Sequence, residues 1–130
     1  FVPFHLLTRE FYQIVKKHLN EGGVVAQNIE PTTMLYEAAV ATIAAEFKNV
    51  EIYPASGNYV LIAYNGPRRT DAALRAVAGQ MDAEYKPRYP LAKMVAERRQ
   101  PAKTDGQILT DDFAPVQMLK SIERHNKKRP

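Results

Sequence analysis

The chain has 130 residues, 45% of them hydrophobic, and a formal net charge of +4, which suits one modest globular domain rather than two. It contains no cysteine, which excludes disulfides, thiolate chemistry and sulfur-ligated zinc sites. No signal peptide is visible and no apolar run approaches the roughly 20 residues that cross a bilayer, so we expect no membrane segment in this chain.

Basic residues are concentrated near the C-terminal end. They include Lys120, Arg124, Lys127, Lys128 and Arg129. A basic tail is ordinarily a solvated chain end, and here it lacks interleaved aromatic residues or a known reader motif. We therefore expect no nucleic-acid partner.

The first predicted element is an amphipathic helix that begins after Thr8, a favourable N-cap residue. Gly22 and Gly23 are predicted to end it, because glycine adopts the left-handed cap conformation easily. This pattern makes His18 a partly buried structural histidine. The predicted buried face of the helix comprises Phe11, Ile14, Val15, His18 and Leu19.

A strand and a second helix follow. Residues 24–29 form a short, mostly apolar strand. The second helix is predicted to open at Pro31, Thr32 and Thr33. Its inward side chains recur at a spacing of four, which is typical of one helical face: Leu35, Ala39, Ile43 and Phe47.

A hairpin ends this part of the chain. Residues 50–54 form a strand, residues 55–57 turn the chain, and residues 58–64 form a nearly all-apolar strand. An apolar run of that length is typical of a strand covered on both faces. We therefore predict an α/β fold in which the last strand is antiparallel and central, with helices on both faces. This is how one half of a class I methyltransferase-like (Rossmann-like) sheet ends.

The rest of the chain is predicted to be helical. Residues 67–122 form an appended region of the same domain as the core at 1–66, and residues 123–130 form the basic tail. Thr70 caps a third helix, Pro87 and Pro90 break it, and a short fourth helix ends before Pro101. The expected apolar positions are Leu74, Val77, Ala78, Met81 and Tyr85, then Leu91, Met94 and Val95, and finally Val116, Leu119 and Ile122.

Motifs for catalysis and for metal binding are absent from the sequence. His5, His18 and His125 show no spacing that suggests paired metal ligands. There is no nucleophile elbow, phosphate-binding loop or glycine-rich dinucleotide fingerprint. We therefore assign no catalytic residue and no metal ligand within this chain.

Two polar residues are candidates for ligand contact. Gln27 lies near the carboxyl end of the first strand, where open α/β sheets place ligands, although it could equally be hydrogen-bonded to a neighbouring loop. Tyr53 ends the second strand at the same edge, and its alternative is a packed ring with a solvated hydroxyl. Glu30 either attracts a cationic substrate or favours the positive end of the next helix.

Several stretches together resemble the C-terminal half of spermidine synthases, the polyamine aminopropyltransferases. Residues 7–12 (LTREFY) and 22–28 (GGVVAQN) are similar to the helix start, helix stop and strand of that family. Residues 53–57 (YPASG) resemble its Tyr-Pro-Ser-Gly turn with one residue inserted, and residues 109–116 (LTDDFAPV) resemble the ending of bacterial members. The resemblance covers residues 3–66 and 109–119, whereas the helices between them carry no motif that we can name.

The resemblance implies aminopropyl transfer from decarboxylated S-adenosylmethionine to putrescine in an intact parent protein. In the family an aspartate deprotonates the amine, which attacks the carbon next to a sulfonium. That aspartate and the glycine-rich cofactor loop would lie before Phe1, so the resemblance implies a C-terminal fragment that is inactive alone. It also implies that Gln27 and Tyr53 line the polyamine side of the pocket, and that Pro3 and Leu6 approach the adenine side.

Two other functions stay open at this point. One is a different S-adenosylmethionine-dependent methyltransferase, because the same sheet serves both chemistries. The other is a binding or assembly domain without catalysis. We expect a cytoplasmic protein, although some relatives are fused to membrane segments. We also expect self-association, because the first strand would present an open sheet edge.

Overall fold

The computed structural model of the protein describes residues 2–112. A short 3-10 helix, Phe4–Leu6, precedes all other elements. The last helical piece, predicted from Val116, Leu119 and Ile122, and the basic tail lie outside the described residues. The remaining elements are α1 (Arg9–His18), β1 (Val24–Ile29), α2 (Tyr36–Glu46), β2 (Asn49–Ala55), β3 (Asn58–Tyr64), α3 (Asp71–Tyr85) and α4 (Leu91–Ala96).

The three strands form one sheet in the order β1-β3-β2, with β3 antiparallel to both neighbours. The predicted spatial order and the central, reversed position of the last strand are therefore confirmed. Ser56 and Gly57 make the two-residue turn of the hairpin with positive φ values of 38° and 90°, which match the right-handed twist of the strands. Since β1 and β2 run in the same direction, their carboxyl ends lie at one edge of the sheet.

One face of the sheet packs against α1 and α2 and contains the hydrophobic core; we call it the α1–α2 face. Its alternate strand residues pack with the apolar side of α2, on which all four predicted inward side chains are buried. Leu7, before α1, and Leu109, after α4, complete the core. The strand residues on this face that belong to the core are Ile29, Val50, Ile52, Leu61 and Ala63.

The opposite face is partly covered by α3 and α4; we call it the α3–α4 face. Between the sheet and these helices lies a groove, so β3 is covered less completely on this side than on the other. The apolar stripe predicted for α3 does form, but only Ala78 of that stripe is buried. Val77 is 53% exposed and Met81 is 40% exposed.

The buried side of α1 differs from the prediction. Ile14 is 57% exposed and His18 is exposed, whereas Tyr12 is fully buried. The prediction was wrong for Ile14 and His18, whereas Phe11 and Leu19 do pack against the core. Apolarity alone does not identify Tyr12, which buries its large ring against Phe47. The ring of His18 instead contacts the carbonyl oxygen of Ile14, 2.8 Å away, at the exposed end of the helix.

Two predicted helix boundaries also need correction. Helix α1 ends at His18 with Leu19 as its C-cap in an extended conformation, so Gly22, with a φ of +72°, forms the following turn rather than the cap. Helix α2 begins at Tyr36, not at Pro31, because the hydroxyl of Thr33 donates to the carbonyl oxygen of Glu30 and stabilises a turn before the helix.

The segment after α4 crosses the outer edge of β2, and we call residues 97–112 the strap. Arg99 exchanges two main-chain hydrogen bonds of 2.9 Å with Ile52. Farther along, the amide of Leu109 donates to the buried hydroxyl of Thr42, and its carbonyl accepts from the amide of Arg9. The strap thus contacts both the edge of β2 and the α1–α2 face. At the other side of the sheet, the outer edge of β1 has no strand partner among residues 2–112.

Within the described part of the chain, none of the helices combines the length and the hydrophobicity that a bilayer crossing requires.

Candidate functional site

A small cavity lies at the carboxyl end of β1, the edge at which the sequence predicts ligand binding. Its volume is about 80 Å³. Four of the residues that line it, Asn28, Glu30, Thr33 and Asn58, have side chains with hydrogen-bond acceptors, and Leu35 forms part of its apolar wall. An enclosure with a carboxylate and amide oxygens suits a positively charged or hydrogen-bond-donating group of a ligand.

Gln27 lies beside this cavity but on the α1–α2 face. Its Oε1 accepts a hydrogen bond of 3.4 Å from the hydroxyl of Tyr12, and its Nε2 donates to the carbonyl oxygen of Asn28 at 3.1 Å. Burial raises the pKa of Tyr12 above its ordinary value, so this phenol stays neutral and remains a donor. Both groups of the Gln27 side-chain amide are therefore hydrogen-bonded to neighbouring residues, Tyr12 and Asn28.

Tyr53 lies on the α3–α4 face, because it pairs with Val60 whereas Gln27 pairs with Leu61, and neighbouring positions of a strand face opposite sides. The structure does not bring the side chains of Gln27 and Tyr53 together. The two residues share the sheet edge that the sequence predicted, but they approach it from opposite faces.

Tyr53 belongs to a buried polar network around Glu51. The carboxylate of Glu51 accepts hydrogen bonds from the hydroxyl of Tyr53 at 3.0 Å and from the hydroxyl of Tyr64 at 2.6 Å. The guanidinium of Arg98 lies 2.6 Å from the same carboxylate, and the side chains of both residues are only 3% exposed. Arg98 also contacts Asp71 at 2.8 Å, and thereby ties α3 and α4 to the sheet.

The network keeps its two tyrosines protonated. Burial and, next, the neighbouring Glu51 raise the pKa of Tyr53 to about 12. Burial and the hydrogen bond to Glu51 raise the pKa of Tyr64 as well. Both hydroxyls therefore act as donors to Glu51 near neutral pH.

Pro3 and Leu6 lie in the segment before α1. Pro3 is exposed and precedes the 3-10 helix, and the amide of Leu6 donates to its carbonyl oxygen at 3.0 Å. The residues that line the cavity from this segment are instead the adjacent Val2 and Leu7. The predicted segment therefore reaches the expected edge of the sheet, with neighbouring side chains in contact with the cavity.

Sequence reasoning missed Glu51 and Arg98. A signal was present, because Glu51 is a charged residue inside an otherwise apolar strand, and a buried carboxylate requires a cationic or hydrogen-bonding partner. That partner lies 47 positions away in a short loop after α4, and no periodicity of the sequence connects the two.

Comparison with known proteins gives one informative match. The chain is 32% identical to the polyamine aminopropyltransferase of Vibrio vulnificus (strain CMCP6) over 92% of its own length. The match spans 42% of that relative, so the chain corresponds to less than half of it. No family model matches the chain, and no solved structure matches it significantly. The resemblance to the spermidine synthase-like family is thus confirmed, and over nearly all of its length the chain is a homologue of a polyamine aminopropyltransferase.

Proposed function

We propose that this chain supplies the C-terminal portion of a spermidine synthase-like transferase with a Rossmann-like, methyltransferase-type sheet. In the intact cytoplasmic protein, a putrescine-like amine would attack the carbon next to the sulfonium of decarboxylated S-adenosylmethionine. The carbon–sulfur bond would break, a thioether would leave, and the amine proton would pass to a carboxylate outside these residues. The observation that carries the proposal is the 32% sequence identity to the polyamine aminopropyltransferase of Vibrio vulnificus over 92% of the chain.

The cavity at the carboxyl end of β1 supports an amine as the ligand. Glu30 offers a carboxylate to an ammonium group, and the amide oxygens of Asn28 and Asn58 can accept further hydrogen bonds. In this proposal Gln27 and Tyr53 contact the polyamine side from opposite faces, and Pro3 and Leu6 contribute to the adenine side. The chain alone would bind without catalysing transfer.

Self-association through the outer edge of β1 is a separate part of the proposal. Among residues 2–112 no strand pairs with the main-chain groups at that edge, and an open edge pairs readily with another strand. Sedimentation of the 130-residue chain over a range of concentrations tests it. A concentration-dependent dimer that Ala26→Lys weakens is the expected result, and a strictly monomeric species at high concentration would contradict it.

Calorimetric titration of the full-length protein that carries this chain tests the reaction class. Tighter binding of decarboxylated S-adenosylmethionine than of S-adenosylmethionine is expected, followed by aminopropyl transfer to putrescine. The reverse preference would indicate methyl transfer, and binding of neither compound would indicate a role without catalysis.

A substitution in the cavity tests the amine site. Loss of the Glu30 charge removes one charge-assisted contact, so Glu30→Gln is expected to raise the KM for putrescine about tenfold. The matched control is Glu37→Gln, at an exposed position in the first turn of α2, and it should leave the KM unchanged. Equal effects of the two substitutions would contradict the assignment.

A further inference from the structure

The strap carries a chain of hydrogen bonds that joins α2 to the first turn of α1. It begins at Thr42, a fully buried residue of α2. The hydroxyl of Thr42 donates to the carbonyl oxygen of Ala38 at 2.6 Å and accepts from the amide of Leu109 at 2.9 Å. The carbonyl oxygen of Leu109 in turn accepts from the amide of Arg9 at 2.8 Å. The two helices are therefore connected through Leu109.

The strap supplies the acceptor that the start of α1 needs. The first amides of a helix have no acceptor within the helix itself. The amide of Phe11 is bonded to the hydroxyl of Thr8, whereas the amide of Arg9 is bonded to the strap. A second strap contact follows, because the amide of Asp111 donates to the carboxylate of Glu10 at 3.0 Å. The strap therefore fixes the position of the first turn of α1.

The first turn of α1 holds the preceding segment, residues 2–8, which forms one wall of the cavity at the carboxyl end of β1. The hydroxyl of Thr8 donates to the carbonyl oxygen of His5 at 3.3 Å, and this contact ties α1 to the short 3-10 helix. Val2 and Leu7 line the cavity from this segment. A shift of the first turn would therefore move this wall of the cavity.

Close packing and buried polar groups keep the strap in its place on α2. A Cβ at Gly106 would lie 3.0 Å from the carbonyl oxygen of Glu37 and 3.2 Å from the Cβ of Ala41, the residue before Thr42. Loss of the Thr42 hydroxyl would leave the amide of Leu109 buried without an acceptor. This amide could regain a partner only if the strap moved.

We propose that Thr42 and Leu109 are positioning residues for the amine site. They act through Arg9 on the wall formed by Val2 and Leu7, and neither of them lines the cavity. The inference rests on the proposed function, because it takes the cavity at the carboxyl end of β1 as the place where the amine binds. It adds that the cavity keeps its shape only while the strap stays bonded to α2.

Hydrogen exchange of the full-length protein, followed by mass spectrometry of its peptides, tests the positioning itself. Thr42→Val removes the hydroxyl and keeps the shape of the side chain, so the amides of residues 2–9 and 105–112 should exchange at least about fivefold faster. Thr42→Ser retains a hydroxyl and should restore slow exchange. Peptides of α3 are the internal control, because equal acceleration there would indicate unfolding of the whole chain.

The KM for putrescine tests the link to the amine site. Thr42→Val should raise this KM about fivefold and change kcat by less than about twofold, because a displaced wall weakens amine binding before and during transfer alike. Thr42→Ser should return the KM to that of the unsubstituted protein. The matched control for lost packing is Ile43→Val, at the adjacent and fully buried residue that does not line the cavity, and it should leave the KM unchanged.

Gly106→Ala provides a second variant if Thr42→Val does not fold. Its Cβ would press the strap away from α2 while the Thr42 hydroxyl is still present. It should therefore accelerate exchange in residues 2–9 and raise the KM for putrescine in the same way.

Unchanged exchange of residues 2–9 in a folded Thr42→Val variant, equal effects of Thr42→Val and Thr42→Ser, or an unchanged KM would overturn the proposal. A full-length protein that transfers no aminopropyl group would instead overturn the proposed function, and with it the link to the amine. The exchange measurement involves no reaction, so it distinguishes the two failures.

Discussion

The two faces of the sheet are built on different physical principles. The α1–α2 face is closed by apolar side chains from the strands, from α2, and from Leu7 and Leu109. The α3–α4 face is attached through the buried pair of Glu51 and Arg98 and leaves an apolar groove open beside it. Hydrophobic burial stabilises without directional contacts, whereas a few charged contacts fix a geometry. The α1–α2 face therefore provides most of the stability, and the α3–α4 face holds side chains in place around the groove.

The largest expected effect is on the charged attachment of the α3–α4 face. Arg98→Met would leave the buried carboxylate of Glu51 without its cation, at a cost of about 3–5 kcal/mol of unfolding free energy. The double variant Glu51→Gln with Arg98→Met should recover part of that loss, because no uncompensated charge remains. Urea denaturation measures both. A loss of unfolding free energy below about 1 kcal/mol for the single variant would mean that solvent screens the pair as it screens an ion pair at the protein surface.

Truncation of matched apolar residues on the two faces should differ almost as much. Leu61→Ala removes a fully buried side chain from the α1–α2 face and should cost about 2–5 kcal/mol. Val77→Ala, at a half-exposed position beside the groove, should cost less than about 0.5 kcal/mol. Similar losses in thermal denaturation would show that the groove is more tightly packed than its exposure indicates.

Glycine substitutions compare the strap with α3. A Cβ at Gly106 would lie 3.0 Å from the carbonyl oxygen of Glu37 and 3.2 Å from the Cβ of Ala41, so Gly106→Ala should cost about 1–3 kcal/mol. At Gly79, inside α3, a Cβ meets nothing within 4 Å, so Gly79→Ala should increase the unfolding free energy by up to about 1 kcal/mol. Urea denaturation should give changes of opposite sign in the unfolding free energy of the two variants. An unchanged unfolding free energy for Gly106→Ala would show that the strap can move away from α2.

Helix N-caps give a smaller contrast. Thr8 and Thr70 each accept a hydrogen bond from a main-chain amide, in α1 and α3 respectively, but Thr8 is buried and Thr70 is exposed. Thr8→Ala should cost about 1–2 kcal/mol and Thr70→Ala about 0.5–1 kcal/mol, since only the first leaves buried polar groups unpaired. Calorimetric melting measures both, and a larger loss at Thr70 would reverse the interpretation of the two faces.

A further effect is confined to alkaline pH. The pKa of Tyr53 is about 12 in the folded chain and about 10 when unfolded, so the unfolded state loses its proton first. Stability from this group is fully present below pH 10 and decreases as the pH rises through 12. Tyr53→Phe should therefore reduce the decrease in stability over this window. A decrease as steep in the Tyr53→Phe variant as in the unsubstituted chain would contradict the assignment.

Local patterns in the sequence predicted the sheet and its helices well. The turn chemistry of residues 55–57 predicted the hairpin, because strand pairing across a short turn is a local property. The central place of β3 was predicted from the nearly all-apolar run of residues 58–64. The buried stripe of α2 followed from its four-residue spacing in the same way. The buried face of α1 could not be predicted in this way, because Tyr12 is buried through contacts with Phe47 and Gln27, which are distant in sequence.

The sheet edge near which the candidate residues lie was predictable, whereas the orientations of their side chains were not. Gln27, Tyr53, Pro3 and Leu6 all lie at or near the predicted edge, since strand direction determines where carboxyl ends meet. Their orientations depend on the register between β1, β3 and β2, which places Gln27 and Tyr53 on opposite faces. Arg98 reaches Glu51 only because the chain after α4 returns to β2, and no local pattern reports that return.

The strap limits how many chains can join through this sheet. Arg99 occupies the middle of the outer edge of β2, and Pro54 on the same strand has no amide hydrogen to offer a further strand. Among residues 2–112, the outer edge of β1 is the sheet edge left without a strand partner. If chains associate by the strand pairing proposed above, this part of the chain has a valence of one, so the assembly would end after a single partner and would not grow into a fibre by repeating the same contact.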